Sequence, residues 1–150
     1  MPRADIFRGE LWWVDWSPGR GSEQSGRRPA LVVQIGAANQ NPRYPNVIVV
    51  ASSTKGRDLP FHIRLAPSAE NTLEEVSFAK CEQIFTVSKE RLERRLGRIT
   101  ASQMEAVGSA LKMVLDLFWA SRRRRGRPTI LPVTVSPESV PPRGHRPGVG

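Results

Sequence analysis

The sequence has a single cysteine, Cys81, so no disulfide can form within the chain and no Cys-x-x-Cys metal knuckle exists. Histidine is nearly as scarce. Only His62 and His145 occur, the second in a tail of different composition, which argues against a two-histidine ribonuclease and against metal-spaced histidines. There is no Gly-rich phosphate loop ending in Lys-Ser or Lys-Thr, and no Gly-x-Ser-x-Gly elbow. Acidic residues are scattered, without the clustering a two-metal nuclease needs. No apolar run is long enough to span a bilayer and no signal-peptide stretch opens the chain, so the expectation is a soluble, cytoplasmic protein without a membrane partner.

Acidic charge is also short, with 14 Asp and Glu against 23 Lys and Arg, a formal charge of +9. The excess is uneven. Residues 121–150 hold seven Arg and one Glu, which leaves only +3 on residues 1–120. Binding of nucleic acid by the folded part must therefore rest on where its charges lie, not on their sum. The tail opens with Arg122-Arg123-Arg124-Arg125 and continues with six prolines and four glycines. Such a composition buries too little apolar area to offset its ordering entropy, so 121–150 is expected to be disordered. Its Arg run either adds affinity for RNA by counterion release or simply suits the negative pole of a preceding helix. Residues 1–7 are expected to be a flexible terminus, and 8–120 a single domain.

What is present begins with a loop. Gly21-Ser22-Glu23-Gln24-Ser25-Gly26-Arg27-Arg28-Pro29 runs into the apolar segment Ala30-Leu31-Val32-Val33. Pro29 limits Arg28 to extended geometry, and the β-branched run reads as a buried strand over 29–35, so Arg28 stands at a strand mouth. A guanidinium there, with its fork of donors, suits an anionic ligand. Upstream, Leu11, Trp12, Trp13, Val14 and Trp16 are apolar almost without alternation. That implies a strand buried on both faces or at a dimer face, or an aromatic platform for stacking bases. Residues 36–46 read as a connecting loop, and 47–51 as a central strand ending in Ser52-Ser53-Thr54 beside Lys55 and Arg57. Short strands follow at 60–65 and 76–87, a short helix at 88–96, and a longer helix after Thr100-Ala101-Ser102-Gln103. That last tetrapeptide fits a capping box ahead of a stripe of Met104, Val107, Leu111, Val114, Leu115 and Phe118.

The run Gly-Ser-Glu-Gln-x-Gly-x-Arg-Pro-x-Leu-Val-Val resembles the signature of the MazF/PemK/Kid toxins, the endoribonuclease halves of toxin–antitoxin pairs. Arg8-Gly9-Glu10-Leu11-Trp12-Trp13-Val14-Asp15 is similar to that family's first strand. Val47 to Thr54, Leu59 to Ile63, and Val76-Ser77 leading to Glu82-Gln83-Ile84 and Lys89-Glu90-Arg91-Leu92 follow in the family's order, over about residues 8 to 118. The resemblance implies a mainly β fold with α, a small SH3-like β-barrel with a C-terminal helix packed on it. It implies a homodimer that cleaves single-stranded RNA at short specific sequences without a metal or other cofactor. It also implies a cognate antitoxin whose acidic disordered segment folds across the toxin. Arg28 and Thr54 fall where the family has its essential arginine and threonine, and Ser22, Gln24, Ser77 and Gln83 where it contacts RNA.

The residues themselves permit that chemistry. When the substrate's 2′-OH attacks the neighbouring phosphorus, the enzyme need supply neither nucleophile nor metal, only orientation and donors for the phosphorane oxygens. Arg28 offers two donors and Thr54 one hydroxyl. A guanidinium keeps its proton at neutral pH, which makes Arg28 an electrostatic stabiliser more than a proton carrier. The general base stays open between Glu23 and His62, Glu23 also fitting a role in orienting Arg28. Ser77 and Gln83 fit strand-end capping as well as RNA contact. Two other functions remain in view on this sequence: a protein-binding toxin of the gyrase-poison type using the C-terminal helix, and an RNA-binding module without cleavage.

Overall fold

The computed structural model describes residues 5–18, 20 and 26–117. Ser22, Glu23, Gln24 and the segment 121–150 lie outside the described residues. No helix among those described is long and apolar enough to cross a membrane.

Six strands and two helices make up the described chain: β1 Glu10–Asp15, β2 Arg27–Val32, α1 Gly36–Asn39, β3 Asn46–Ser53, β4 His62–Leu65, β5 Ser77–Ser88, β6 Leu92–Arg98 and α2 Ala101–Val114. The strands form one antiparallel sheet in the order β4-β5-β3-β2-β1-β6. The expected small barrel with a C-terminal helix is thus found as a six-stranded sheet that is not closed, since no ladder joins β4 to β6. The bends come from irregular register. The β3 partners jump from Val50↔Ile84 to Ala51↔Lys80, leaving Cys81, Glu82 and Gln83 as extra residues in β5, and β6 shifts twice along β1. Such bulges increase twist and re-aim side chains.

Both faces of the sheet carry a core. On one, Leu11, Leu31, Val50, Leu65, Ala79 and Cys81 pack against Met104, Val107 and Ala110 of α2. On the other, Trp12, Val14, Trp16, Ala30, Val32, Val47 and Val49 gather with Ile6 and Leu92. The unbroken apolar run of β1 therefore reflects two-sided burial. Ile6, within the terminus expected to be flexible, is fully buried. Burial pushes the Cys81 thiol up to about 12, which leaves it unreactive at neutral pH.

The capping box at α2 is complete, with Gln103 N–H donating to Thr100 Oγ1 at 3.1 Å and Thr100 N–H to Gln103 Oε1 at 2.9 Å. Two expectations are corrected. Residues 36–46 contain the short helix α1, and 88–96 form a 3-10 turn, Lys89–Arg91, followed by β6 instead of a helix. Leu92 and Leu96 are four apart, a spacing that a regular strand and a helix both return to one face, so the pair cannot discriminate; in β6 the two bulges in fact send Leu92 to one core and Leu96 to the other. The α2 stripe also ends early: Leu111 packs on the core, but Leu115 is 53% exposed.

Candidate active site

Arg27 and Arg28 look alike in the sequence, and the pleat separates them. Residues two apart in a strand share a face. Arg27 therefore follows Leu31 toward the α2 side, while Arg28 follows Ala30 and Val32 toward the opposite side. The Arg27 Nε donates to both Glu93 carboxylate oxygens, at 3.0 and 2.8 Å. Arg28 is exposed and stands opposite Val14 of β1. The β2–β3 ladder runs only from Val32↔Val49 to Ala30↔Ala51. It stops at Pro29, which has no N–H to give. Continued past that point, the same register sets Arg28 opposite Ser53, one residue before Thr54.

This rung extends across the sheet through Ser53↔Phe78 and Arg64↔Phe78, and the rung two residues on holds Ala30, Ala51, Lys80 and His62. One face thus carries Arg28, Ser53, Arg64, Lys80 and His62. Charge that is modest over residues 1–120 is concentrated here. The three hydroxyls after β3 have separate surroundings. Ser52 Oγ is buried without a partner among the described residues, and Ser53 Oγ accepts from Lys55 N–H at 3.1 Å. Thr54 is exposed and makes no hydrogen bond with a described residue.

The loop after Thr54 is pinned at two points. Arg57 N–H donates to His62 Nδ1 at 3.0 Å, and His62 Nε2 meets Glu82 Oε1 at 2.7 Å, a pattern that fits the tautomer with its proton on Nε2. Gly56 lies on the Phe78 ring, where an added Cβ would fall 2.0 Å from Cγ. Gly56→Ala is therefore expected to displace the ring or the loop and with it Thr54. RNA cleavage should drop about tenfold to a hundredfold, since small misplacements of a catalytic group are costly, and the unfolding midpoint should fall as well, because the clash is with the root of the Phe78 side chain. Parallel rate and urea-melt measurements check this.

On the α2 side, Thr54 and Ser77 share the wall of a cavity of about 450 Å³ with Trp13, Pro29, Glu74 and Arg94. Ser77 is buried and its hydroxyl donates to the Glu75 carbonyl at 3.2 Å, the strand-end capping arrangement. Arg28, His62 and Gln83 do not line this cavity, Gln83 lying in the β5 bulge. Thr54 lines the α2-side cavity, one residue beyond the Ser53 that the extended register sets opposite Arg28. A larger cavity of about 620 Å³ opens far from these residues, among Arg8, Glu10, Arg98 and Thr100, where the buried Glu10 carboxylate pairs with Arg95. Among the described residues no three His, Cys, Asp or Glu come together as a metal site.

The mouth of the signature loop is tied by Asp15, whose Oδ1 accepts from Ser17 N–H at 3.0 Å, and by Arg91 Nη1, which donates to the carbonyls of Asp15 at 3.0 Å and Ser17 at 2.8 Å. The Ser17 amide, with Arg27 and Arg91 behind it, holds the Asp15 carboxyl below its ordinary 3.8. A carboxylate depressed on folding contributes stability above its unfolded pKa and loses it as pH falls through the folded value. Asp15→Asn should accordingly lower the urea midpoint at neutral pH, with the difference from wild type shrinking as pH falls below 3.8.

Sequence reasoning did not single out Trp13 and Arg94 as cavity walls, or Arg64 and Lys80 as part of the basic face. The two-residue spacings His62/Arg64 and Phe78/Lys80 carried that signal, but it becomes legible only once β4, β5 and β3 are known to be neighbours. Glu74 and Glu75 precede β5 and left no periodic trace.

Comparison with known proteins places these features in context. The profile of PemK-like, MazF-like toxins of type II toxin-antitoxin systems matches residues 7–115. The chain is 36% identical over 115 residues to endoribonuclease MazF9 of Mycobacterium tuberculosis H37Rv, covering 74% of this chain and 97% of that protein. Among solved structures it is similar to Mycobacterium tuberculosis toxin MazF-mt6, with TM-score 0.60 and 23% identity over 71% of this chain and 96% of that one, a likeness of fold. It is also similar to an endoribonuclease in complex with its cognate antitoxin from a mycobacterial species, with TM-score 0.58 and 25% identity over 75% and 96% of the two chains.

Proposed function

The chain belongs to the PemK-like, MazF-like toxins of type II toxin-antitoxin systems, and from that premise we propose that it is a toxin endoribonuclease cleaving single-stranded RNA at short specific sequences without a metal. The observation that carries the mechanism is the register that sets Arg28 across from Ser53 where β2 and β3 part, with Thr54 next in the chain. An RNA phosphate at that strand end would be reached by the Arg28 guanidinium from one face and by the Thr54 hydroxyl, which lines the α2-side cavity, from the other. The 2′-oxygen forms a bond to phosphorus, the bond from phosphorus to the 5′-oxygen breaks, and that oxygen takes up a proton. The products are a 5′-OH and a 2′,3′-cyclic phosphate. Arg28 and Thr54 act by stabilising charge on the equatorial oxygens.

Both ring nitrogens of His62 are engaged, which supports a role in holding the 54–61 loop over one in accepting the 2′ proton. Glu23 is then the candidate base or the partner that orients Arg28. Ser22, Gln24, Ser77 and Gln83 are proposed to contact the bound strand, and the Arg-rich tail to add sequence-independent affinity. The face formed by Arg28, Arg64 and Lys80 suits the acidic segment of an antitoxin, which would compete with RNA for it. Action in the cytoplasm follows from that substrate.

Dimer formation is supported by an apolar surface of Val33, Ile35, Tyr44, Ile84, Leu111 and Leu115, in which Ile35 is 68% exposed. Leu115→Glu should shift the protein from dimer to monomer in light scattering. An unchanged mass would argue against this face.

The deciding experiment incubates long single-stranded RNA with the protein in EDTA and maps the cut ends. Discrete cuts bearing 5′-OH termini are expected. Intact RNA would favour a gyrase-poison type of toxin or a binding module, and cutting that only magnesium restores would contradict the mechanism.

A further inference from the structure

The loop that follows Thr54 hangs on a titratable ring. The His62 side chain is only 5% exposed. Arg57 N–H donates to its Nδ1 at 3.0 Å, and on the far side of the ring Nε2 meets Glu82 Oε1 at 2.7 Å. One form satisfies both contacts, the neutral ring with its proton on Nε2, which the Glu82 carboxylate selects by accepting from it. A second proton has to go on Nδ1, in the path of the Arg57 N–H. The charged ring and this loop contact therefore exclude each other.

Glu82 owes its place to the register jump in β5. It is the middle one of the three extra residues, and its neighbour Cys81 donates its N–H to the Phe61 carbonyl at 2.9 Å, just ahead of β4. The bulge thus ties β5 to the end of the loop and turns a carboxylate toward the ring. Three further hydrogen bonds shape the loop: Lys55 N–H to Ser53 Oγ at 3.1 Å, Leu59 N–H to Arg57 O at 2.9 Å and His62 N–H to Leu59 O at 3.0 Å. Only the Arg57 contact with Nδ1 ends on a residue type whose charge ordinarily changes between about pH 5 and 8.

Resting on the RNA-cleaving reading above, we propose that Glu82 and His62 are positioning residues for Thr54: Glu82 fixes the tautomer that holds Arg57, and acid stops cleavage by charging the ring and releasing the loop. The groups around the ring act in both directions. Glu82 of β5 and Asp58 of the loop favour a charge on it. Lys80, paired with His62 on β5, opposes that charge, as do Arg64 of β4, Arg28 of β2, and Lys55 and Arg57 of the loop. α2 packs on the opposite face, against Ile63 and Leu65.

The test follows single-turnover cleavage of one saturating RNA oligonucleotide from about pH 5 to 8 for the wild type, His62→Asn and Glu82→Gln. The Asn carboxamide oxygen can accept from Arg57 and does not titrate, while Gln keeps an acceptor for Nε2–H and loses the charge. The wild-type rate should fall about tenfold or more toward the acid end. His62→Asn should stay within about tenfold of wild type at neutral pH and lose most of that fall, because removal of a proton acceptor costs more than this at every pH. Glu82→Gln should move the fall to lower pH, since the ring charges less readily without a carboxylate beside it. The inference is overturned by a level wild-type profile, by an acid fall that His62→Asn retains, by a larger loss in His62→Asn at neutral pH, or by a Glu82→Gln profile that does not move down. The Arg57 amide gives a readout without RNA: its proton resonance should titrate with the acid fall in the wild type and stay still in His62→Asn, and an amide indifferent to pH in the wild type would also overturn the inference. RNA left intact by the wild type at every pH would instead remove the cleavage reading, and the assignment to Thr54 with it.

Discussion

Replacing Arg28 by alanine is expected to lower RNA cleavage by about a thousandfold, the upper end of what removal of one preorganised donor costs, because this side chain can present two. Arg28→Lys should recover only part of that rate, since an ammonium keeps the charge and loses the planar fork. Thr54→Ala should cost about a hundredfold, and the double variant much less than the product of the two, because groups that act on one phosphate are not independent. Stability should be nearly untouched. Arg28 is exposed and Thr54 makes no hydrogen bond with a described residue, so the far-ultraviolet circular dichroism and urea midpoint of each variant should match the wild type. Single-turnover rates on one oligonucleotide check the series. An Arg28→Ala variant within fivefold of wild type would contradict the assignment.

The second large effect is on the fold. Gly97 of β6 faces Leu11 of β1, and a Cβ at Gly97 would lie 2.0 Å from the Glu70 carbonyl oxygen and 2.9 Å from Asn71 Cα. Backbone there cannot yield cheaply. Arg98 N–H donates to the Glu70 carbonyl at 3.0 Å, buried Asn71 ties the loop through Ala66 O at 2.8 Å and Ser68 N at 3.0 Å, and Thr72 Oγ1 donates to Leu96 O at 2.6 Å. Gly97→Ala is therefore expected to destabilise by about 3 kcal/mol or more, the top of the usual overpacking range. Gly108, inside α2 with nothing within 4 Å of an added Cβ, is the control: Gly108→Ala should stabilise by about 0.5–1 kcal/mol. Urea denaturation measures both, and a Gly97→Ala midpoint equal to wild type would refute the steric account.

Some of this was readable in the chain and some was not, for physical reasons. The α2 start was legible because a capping box is local, four residues that satisfy each other's amides. Two-sided burial of β1 was legible because a strand apolar at nearly every position has no face left for water. β6 was not legible, since Leu92 and Leu96 fit either period and the pairing that decides is with β1, about 80 residues away. α1 was hidden by its turn-forming composition. It is held by long-range partners: Asn39 Nδ2 donates to Gln34 O at 2.8 Å, and fully buried Lys89 donates to Ala38 O at 3.1 Å and Asn41 O at 3.0 Å. Burial holds that ammonium below the ordinary lysine range, a cost that two carbonyls offset and that no sequence pattern announces.

The candidate site divides in the same way. Arg28 and Thr54 were conspicuous because each ends an apolar strand beside charge or hydroxyls. The partners of Arg28 on the basic face, Arg64 and Lys80, depend on strand order, and the walls of the cavity that Thr54 lines depend on a loop crossing to β6. The sequence therefore named the candidate phosphate-binding residues and was silent about the surfaces around them.

The central claim is that ribose supplies the nucleophile while Arg28 and Thr54 stabilise the phosphorus. It is tested most directly with an oligonucleotide carrying a mapped cut site and a single 2′-deoxy substitution on the nucleotide whose 2′-OH would attack. Binding should persist and cutting at that bond should vanish while a second, unmodified site in the same strand is still cut. Cleavage at the substituted bond at a rate comparable with the unmodified one would contradict the account.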